Sequence, residues 1–419
     1  KKEYVTEIFA AASHQIYAFG ATYIDDELAF NAAGTAQGDW SGAATRLSAL
    51  GTESQAALAF SNDTYPSTAH FYGVATYGLQ FKLSNDKFSS GIPNRITQEG
   101  QGALVYDPRL DTTRGGSGAH RADDQTTWEY TSGGSLIGEN PVLQAVWYML
   151  GWKKNSILAI GMGLNPDNID WASVIAAANV SEEIVDSKWR YKTHGIEVTD
   201  GDHNRVLNTF TASCGLKVLK SPAGVYSVWI PNDDLISTNT ISKADIIGEV
   251  KYTPTDLKGL YNVGRGQFPD PSALYQLRPC PEVRETTYVT EDGRDRVFEV
   301  NLPFIQDSDV AQRVLRYHVR RSRYRDTWIF AVNFSFLSVN VLDIITLNCD
   351  ETANVDQLCR VMQIDISPQG IIVLTLIEEH TSIYDDTTVP VTMPTALSAP
   401  GYNPAAVFAV TIAVQTGVF

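Results

Sequence analysis

The chain has 419 residues, which predicts roughly three domains, and its 43% hydrophobic and 19% charged residues exclude a disordered or collagen-like protein. Its 32 basic and 48 acidic residues give a net charge of −16. That charge argues against a protein whose main task is to grip nucleic acid, because phosphate contacts need a basic face. The 31 glycines, 18 prolines and 10% aromatic residues favour β-structure with many turns.

Residues 1–130 predict a β-rich domain with a long polar loop. Within it, residues 71–83 (FYGVATYGLQFKL) have the aromatic and aliphatic alternation that is typical of a strand. Residues 111–139 are polar and rich in glycine and serine, which indicates a loop. A loop of this length is usually functional or packs on a partner, so we expect it to become ordered only against a neighbouring subunit.

Residues 131–235 predict an α+β middle domain. Asn140 followed by Pro141 is typical of a helix start, with asparagine as the N-cap and proline as the first helical residue. Asp170 is placed to cap a second helix, whose apolar residues recur at helical spacing. Residues 200–204 (DGDHN) open like a calcium loop, but the glycine and the final carboxylate that such a loop needs are missing. We therefore expect a turn that caps a third helix.

Residues 236–388 predict a strand-rich domain with one inserted helix. The strands include a hairpin around Asp292-Gly293, and the helix is capped by Asp307 or Ser308. Residues 389–419 predict a proline-rich connector and the start of a further strand or domain.

The inserted helix carries the one notable concentration of positive charge. Arg313, Arg316, Arg320 and Arg323 share one face at 100° per residue, opposite the apolar stripe. Such a face is either solvated or binds phosphates, lipid headgroups or an acidic subunit. Against a net charge of −16, we favour an acidic surface of the same assembly, so these four arginines are candidate subunit-interface residues.

No catalytic, cofactor-binding or metal-binding set is predicted. Gly161-Met162-Gly163 lacks the third glycine of a dinucleotide fingerprint, and Gly133-Gly134-Ser135 does not complete a nucleophile motif. The histidines show no zinc spacing, and the four cysteines form no CxxC pair, so we expect buried thiols. The sequence therefore predicts a protein that is not an enzyme and holds no cofactor.

Several strings, in order along the chain, carry a family resemblance. They are YGLQFKLSNDKFSSGIPN (77–94), QGALVYDPR (101–109), Trp128, NPVL (140–143) with Trp147-Tyr148, the helix from Trp171 to Asn179, Arg190-Tyr191 with Gly195, and Leu302-Pro303 with Ala311-Gln312-Arg313. Together they resemble the central tail-tip hub family of long-tailed bacteriophages, which includes the lambda-type tip attachment protein and the host-specificity proteins of gene transfer agents. The resemblance covers about residues 70–380.

The resemblance implies an α+β, β-rich, multi-domain phage tail hub with β-barrel hub domains and short bracing helices. Residues 1–130 would be a β-rich hub domain and residues 236–388 a β-barrel hub domain. It implies a homotrimer at the tail tip of the virion, assembled in the host cytoplasm. Its partners would be the distal tail protein, the tape-measure protein and other tail-tip proteins. A host cell-surface receptor would be reached through downstream regions.

The tasks implied by the resemblance are structural. The hub would close the tail tube, anchor tip and receptor-binding parts, and open for DNA, which is present only in transit. The alternative function is a tail-associated glycan or peptidoglycan hydrolase, which needs two carboxylates in one cleft. A surface adhesin is a third possibility, and it needs exposed aromatic clusters, for which Trp40, Trp128, Trp152 and Trp229 are the candidates.

Overall fold

The computed structural model describes residues 3–62, 66, 68–83, 86–88, 91–93, 95–198, 202–221, 223–349, 354–367, 370–387 and 390–393. Over these residues the chain is β-rich with five α-helices, which confirms the predicted α+β, β-rich class. No helix in this part of the chain is long and apolar enough to cross a membrane. The predicted connector lies almost entirely outside the described residues, since of 389–419 only 390–393 are described.

Two three-stranded antiparallel sheets form the N-terminal part of the fold. Their strands are β1 (Tyr4–Ala12), β2 (Ile16–Ile24), β3 (Glu27–Phe30), β4 (Ala44–Leu50), β5 (Ala75–Lys82) and β6 (Ile96–Ala103). The strand orders are β1-β5-β4 and β3-β2-β6. Both sheets contribute to one core, in which Phe30, Tyr77, Leu79 and Phe81 are almost fully buried.

Three helices and short hairpins form the middle of the chain. The elements are α1 (Pro141–Leu150), β7 (Trp152–Lys154), β8 (Ile157–Ile160), α2 (Trp171–Glu182), β9 (Ile184–Val185), β10 (Lys188–Trp189), α3 (His203–Cys214), β11 (Lys217–Lys220) and β12 (Tyr226–Trp229). Each helix begins where the sequence predicts. Asn140, Asp170 and Asp202 accept hydrogen bonds from backbone N–H groups of the first turns of α1, α2 and α3.

Residues 111–139 form an irregular segment, as predicted, but they do not need a neighbour to become ordered. Ala122, Trp128 and Ile137 belong to the same buried core as α1. The side chains of Asp111 and Asp124 accept hydrogen bonds from backbone N–H groups two residues further on, which fixes the turns locally. The expectation that this loop orders only against a second subunit is therefore wrong. Buried apolar side chains and Asx turns hold this segment in place, although most of its residues are polar.

The described residues of the C-terminal half form ten strands and two α-helices. They are β13 (Ser237–Ser242), β14 (Ile246–Thr253), β15 (Val263–Asp270), β16 (Gln276–Pro279), β17 (Val283–Arg284), α4 (Thr286–Asp292), β18 (Val297–Asn301), α5 (Ser308–Arg321), β19 (Thr327–Val332), β20 (Ile344–Cys349), β21 (Asn354–Ile366) and β22 (Ile372–Glu378). One six-stranded sheet has the order β13-β20-β21-β22-β19-β14. A four-stranded sheet centres on β15, which pairs with β16, β17 and β18.

The six-stranded sheet curls because its two edge strands are consecutive in the chain. Residues 243–245 are all that separates β13, which pairs parallel with β20, from β14, which pairs antiparallel with β19. The result is a half-barrel. Trp328, Leu347, Val361 and Leu374 are buried in its core.

The predicted hairpin around Asp292-Gly293 is wrong. Residues 286–292 form helix α4, and Gly293 ends it with a φ of 65°, in the left-handed region. The flanking strands β17 and β18 each pair with β15 instead of with each other. An Asp-Gly pair suits a helix end as well as a tight hairpin turn, because both need a residue with positive φ.

The largest buried core runs from Val105 to Leu315 and includes residues of the first three predicted domains. The division at residues 130, 235 and 388 stays a prediction. All four cysteines are buried free thiols.

The turn between β15 and β16 ties the β15 sheet to the N-terminal sheets. It places Leu274 and Tyr275 at φ values of 52° and 61°, which non-glycine residues rarely adopt. Leu274 packs against the buried Tyr23, and the Tyr275 hydroxyl donates to Glu99 Oε1 at 3.2 Å. Burial raises the pKa of Glu99 to about 7, and the hydrogen bonds from Tyr275 and from the Ala21 N–H limit that rise.

Glu99→Gln is expected to weaken the pH dependence of folding stability. Between pH 4.5 and about 7 the folded chain retains a proton on Glu99 that the unfolded chain has lost, so stability falls as the pH rises through this window. The fall due to Glu99 is about 3 kcal/mol. Glutamine keeps an acceptor for Ala21 and carries no charge, so that contribution disappears.

The measurement is urea unfolding of both proteins at about pH 5 and about pH 8. Glu139, whose pKa burial also raises to about 7, adds a second contribution, so the variant keeps part of the pH dependence. Equal pH dependence in the two proteins would contradict the prediction.

Candidate functional site

Helix α5 lies on the β15 sheet through its apolar stripe. Asp307 caps its first turn, which resolves the predicted choice between Asp307 and Ser308. Leu315 and Val319 face Gly264 of β15, where an added Cβ would lie 3.2 Å from both side chains. Glycine at this position lets the helix approach the sheet closely.

The arginine face of α5 is buried within the chain. Arg313, Arg316 and Arg320 are each 6–7% exposed, so this face is not the solvated surface that the sequence leaves open. On one side it faces Glu285, the N-cap residue of helix α4. On the other it is covered by residues 379–387 and 390–393, which we call the C-terminal strap.

Aspartates and main-chain oxygens of the strap hold this face. Asp386 forms ion pairs with Arg313 and with Arg190. Arg320 donates to the main-chain oxygen of Asp385 at 2.5 Å. Further along the strap, Val391 exchanges two hydrogen bonds of 2.8 Å with the Gln312 side chain. The strap therefore runs along most of the length of α5.

Helix α4 supplies the carboxylates on the opposite side. Glu285, its N-cap residue, accepts from Arg320 Nε at 2.9 Å and lies 3.7 Å from Arg316 Nε. Asp292 binds Arg323 through both carboxylate oxygens. The Arg323 guanidinium also lies 4.6 Å from the ring centre of Tyr288.

A buried carboxylate, Glu379, joins α5 to the half-barrel. Its side chain is 1% exposed and forms ion pairs with Arg321 of α5 at 3.2 Å and with Arg360 of β21 at 2.9 Å. The Tyr384 hydroxyl donates to the same carboxylate at 2.5 Å. Arg360 also lies 4.5 Å from the ring centre of Trp229, which brings the middle of the chain to this point.

Burial governs the electrostatics of this face. It lowers the pKa of Arg316, and the neighbouring Arg320 lowers it further. It raises the pKa of Asp386, while Arg190, Arg313 and Arg316 oppose the rise. Arg313, Arg316 and Arg320 are thus brought together on α5, whereas Arg323 lies beyond the end of the helix at Arg321 and pairs with Asp292. The carboxylates that pair with these arginines belong to the same chain. Their role at a subunit interface stays a prediction.

A second ion-pair cluster lies at Arg109. The guanidinium binds both oxygens of Glu182 in α2, at 2.7 and 2.8 Å, and also binds Asp107. The Asn140 side chain, which caps α1, donates to Glu182 at 2.9 Å and to the Ala178 carbonyl at 3.0 Å. The segment before the irregular loop, α1 and α2 are therefore fastened at one place.

This cluster accounts for three of the strings that carry the family resemblance. VYDPR contributes Asp107 and Arg109, NPVL contributes Asn140, and the helix from Trp171 to Asn179 contributes the Ala178 carbonyl. Sequence reasoning missed Glu182 and the strap carboxylates, because they lie far from the arginines in the chain. Glu182 is 73 residues from Arg109, and Glu379 is 58 residues from Arg321. The excess of acidic residues opposite a single arginine run is the signal that could have suggested internal pairing.

Two features of the described residues bear on the alternative functions. One cavity has a volume of 330 Å³ and is lined by Tyr17, Trp128, Glu129 and Tyr130 among others. Glu129 is the one carboxylate among the described residues that line it, whereas glycoside hydrolysis uses two. All four candidate tryptophans of the adhesin hypothesis are at most 9% exposed.

Glu379→Gln is expected to destabilise the fold by about 3–5 kcal/mol, because it leaves Arg321 and Arg360 without their shared counter-charge in a buried position. Chemical unfolding at neutral pH measures the effect. The matched control is Asp295→Asn, which removes the partner of Arg284 in an exposed ion pair and is expected to change stability little. An equal fall in the free energy of unfolding in the two variants would contradict the prediction, because the buried ion pairs of Glu379 would then stabilise the fold no more than an exposed pair.

Arg109→Lys is expected to cost about 1–3 kcal/mol, because a lysine cannot make the two-pronged contact with Glu182. The control, Arg114→Lys, alters a more exposed pair with Asp167 and is expected to have a smaller effect. A double-mutant cycle with Glu182→Gln should show strong non-additivity. Additive losses would mean that Arg109 and Glu182 do not stabilise each other.

Comparisons with known proteins find a family match for part of the chain and a similar fold for most of it. The family described as "Putative phage tail protein" matches residues 206–364. The fold is similar to a chain in the structure titled "Virion of native gene transfer agent (GTA) particle", with a TM-score of 0.57, 13% identity, and coverage of 94% of this chain and 88% of that one. No curated protein matches the sequence.

Two further solved structures are similar over smaller parts. A tail protein from Neisseria meningitidis MC58 gives a TM-score of 0.30 at 14% identity, over 45% of this chain and 59% of that chain. The 43 kDa tail protein of prophage MuSo2 from Shewanella oneidensis gives 0.30 at 12% identity, over 49% and 58%. Residues 206–364 thus match a phage tail protein family, and nearly the whole chain shares its fold with a chain of a gene transfer agent particle.

Proposed function

We propose that this protein is the central hub of a tail tip in a bacteriophage or a phage-like particle. In this role it closes the tail tube, anchors tip and receptor-binding parts, and opens for DNA passage. The observation that carries the proposal is the fold similarity over 94% of the chain to a subunit of a gene transfer agent particle. The ordered strings from residue 77 to residue 313 support the same assignment.

The ion-pair clusters suit a subunit that bears mechanical load. Glu379 and Asp386 link the strap to α5, and Glu379 also links it to the half-barrel. Arg109 fastens the N-terminal part to α2. A hub must keep its shape while the tail is attached to the cell and while DNA passes. Buried charge pairs resist separation, because a charge left without a partner in the interior is costly.

The net charge suits a channel that DNA crosses without adhering. At −16 the chain repels the phosphate backbone, so DNA is a passing molecule and not a ligand. We propose that the protein has no enzymatic activity and no cofactor, and the match of residues 206–364 to a family described as a phage tail protein supports this.

We further propose a homotrimer that contacts the distal tail protein, the tape-measure protein and other tail-tip proteins, after assembly in the host cytoplasm. Contact with a host cell-surface receptor would belong to regions downstream of the strap. In this arrangement Arg313, Arg316, Arg320 and Arg323 act at the subunit interface by holding α4 and the strap in position, because their guanidinium groups are already paired within the chain.

The test combines solution mass with location on the particle. Sedimentation of the purified full chain at micromolar concentration is expected to give three times the monomer mass. Immunogold labelling of intact particles is expected at the distal end of the tail alone. A monomer at all concentrations contradicts the trimer, and label along the tail length contradicts the hub position.

A further inference from the structure

The last part of the C-terminal strap is held on α5 by polar contacts. Ile383 and Tyr384, which precede it, are buried in a small apolar cluster. Beyond Tyr384 the described residues are 385–387 and 390–393, which we call the latch. None of the latch residues is fully buried. Among them Met393 packs against a hydrophobic core, and it is only partly buried. The strap therefore changes from apolar burial to polar contact directly after Tyr384.

The arginines that hold the first part of the latch each have a second partner outside it. The arginines that bind Asp386 or the Asp385 main-chain oxygen are Arg190, Arg313 and Arg320. Arg190 also donates to Glu183 at 2.9 Å, and Arg313 donates to the Arg190 carbonyl oxygen at 2.7 Å. Arg320 donates to Glu285 at 2.9 Å. Each guanidinium group thus binds the latch on one side and the rest of the fold on the other.

Gln312 holds the far part of the latch in the same manner. Its side chain makes the two hydrogen bonds with the Val391 main chain, and it also donates to the Ser308 hydroxyl at 3.3 Å. Detachment of the latch would therefore leave these four side chains with a partner in the rest of the fold. Water would reach the groups that lose a contact, so opening avoids the costly condition of a charge that is both buried and unpaired.

We propose that the latch opens and closes as one unit while the rest of the fold stays intact. A segment with few buried apolar contacts opens at a lower free energy than the core to which it is attached. Glu379, which holds Arg321 and Arg360, precedes the latch and stays in place.

The latch gives the proposed hub a place at which it can yield without unfolding. Residues 394–419 follow the latch in the chain, so its opening lets the chain beyond it move away from α5. This consequence rests on the proposed hub function, in which the regions that contact a receptor lie downstream. The opening itself depends only on the contacts within one chain.

The experiment measures amide hydrogen exchange of the purified full chain by mass spectrometry. The Val391 N–H donates to Gln312 Oε1, so its exchange reports on the far part of the latch. Asp386→Asn weakens the ion pairs in the first part. It is expected to speed exchange in the fragment that contains Val391 by about tenfold or more, because hydrogen bonds to charged groups contribute more than neutral ones. Exchange in the α5 fragments is expected to change little, since opening the latch leaves the helix folded.

Asp295→Asn is the matched control, because it removes a carboxylate that pairs with Arg284 outside the latch. Faster exchange at Val391 in Asp386→Asn alone, with α5 unchanged, supports the latch. Unchanged exchange at Val391 overturns it, because the contacts then break one by one. Equal acceleration in α5, or in the control, also overturns it, because exchange then follows unfolding of the whole chain.

The unmodified chain supplies a further outcome. If Val391 already exchanges as fast as in an unfolded chain, the latch is not closed and the inference is wrong. None of these rates depends on the number of subunits or on the position in the particle. Failure of the latch therefore leaves the hub proposal standing, and failure of the hub proposal leaves the latch standing.

Discussion

The burial of arginine side chains on helix α5 is the constraint from which the C-terminal architecture follows. A guanidinium group remains charged in the interior, so each one must meet a carboxylate or several carbonyl oxygens. For Arg320 these groups are Glu285 and the Asp385 carbonyl, and for Arg321 the partner is Glu379. Ion pairs and hydrogen bonds to these buried arginines therefore hold helix α4 and the strap against α5, in addition to apolar packing. A change in the position of either element would leave a buried charge without a partner.

How well the sequence predicts a feature depends on how far apart in the chain the residues that determine it lie. Helix starts at Asn140, Asp170 and Asp202 were predictable, because a cap depends on residues two or three positions away. The Asp292-Gly293 hairpin was wrong since the same dipeptide serves two local structures, and the choice depends on β15, which separates β17 from β18. The apolar stripe of α5 was predictable from its periodicity. The groups that bind its arginine face were not predictable, because they come from segments up to about 120 residues away in the chain.

The family resemblance has a structural reason in this fold. Asp107 and Arg109, Asn140 and the end of α2 lie in different strings, yet they share one hydrogen-bonded cluster around Glu182. No nucleophile or metal ligand set lies among the residues of that cluster. The motif that looks most specific in the sequence is thus a fastening between three segments, which is consistent with a protein whose task is to hold a shape.

The internal pairing of arginine also bears on the outer surface. Arg109, Arg190, Arg320, Arg321 and Arg360 all bind carboxylates or carbonyl groups of their own chain. These basic side chains are therefore directed toward groups of their own chain. Because acidic residues exceed basic ones by 16 overall, the excess of carboxylates faces solvent. A surface of that kind repels both DNA and identical subunits. Contacts between copies of such a chain therefore need surfaces on which few carboxylates face one another.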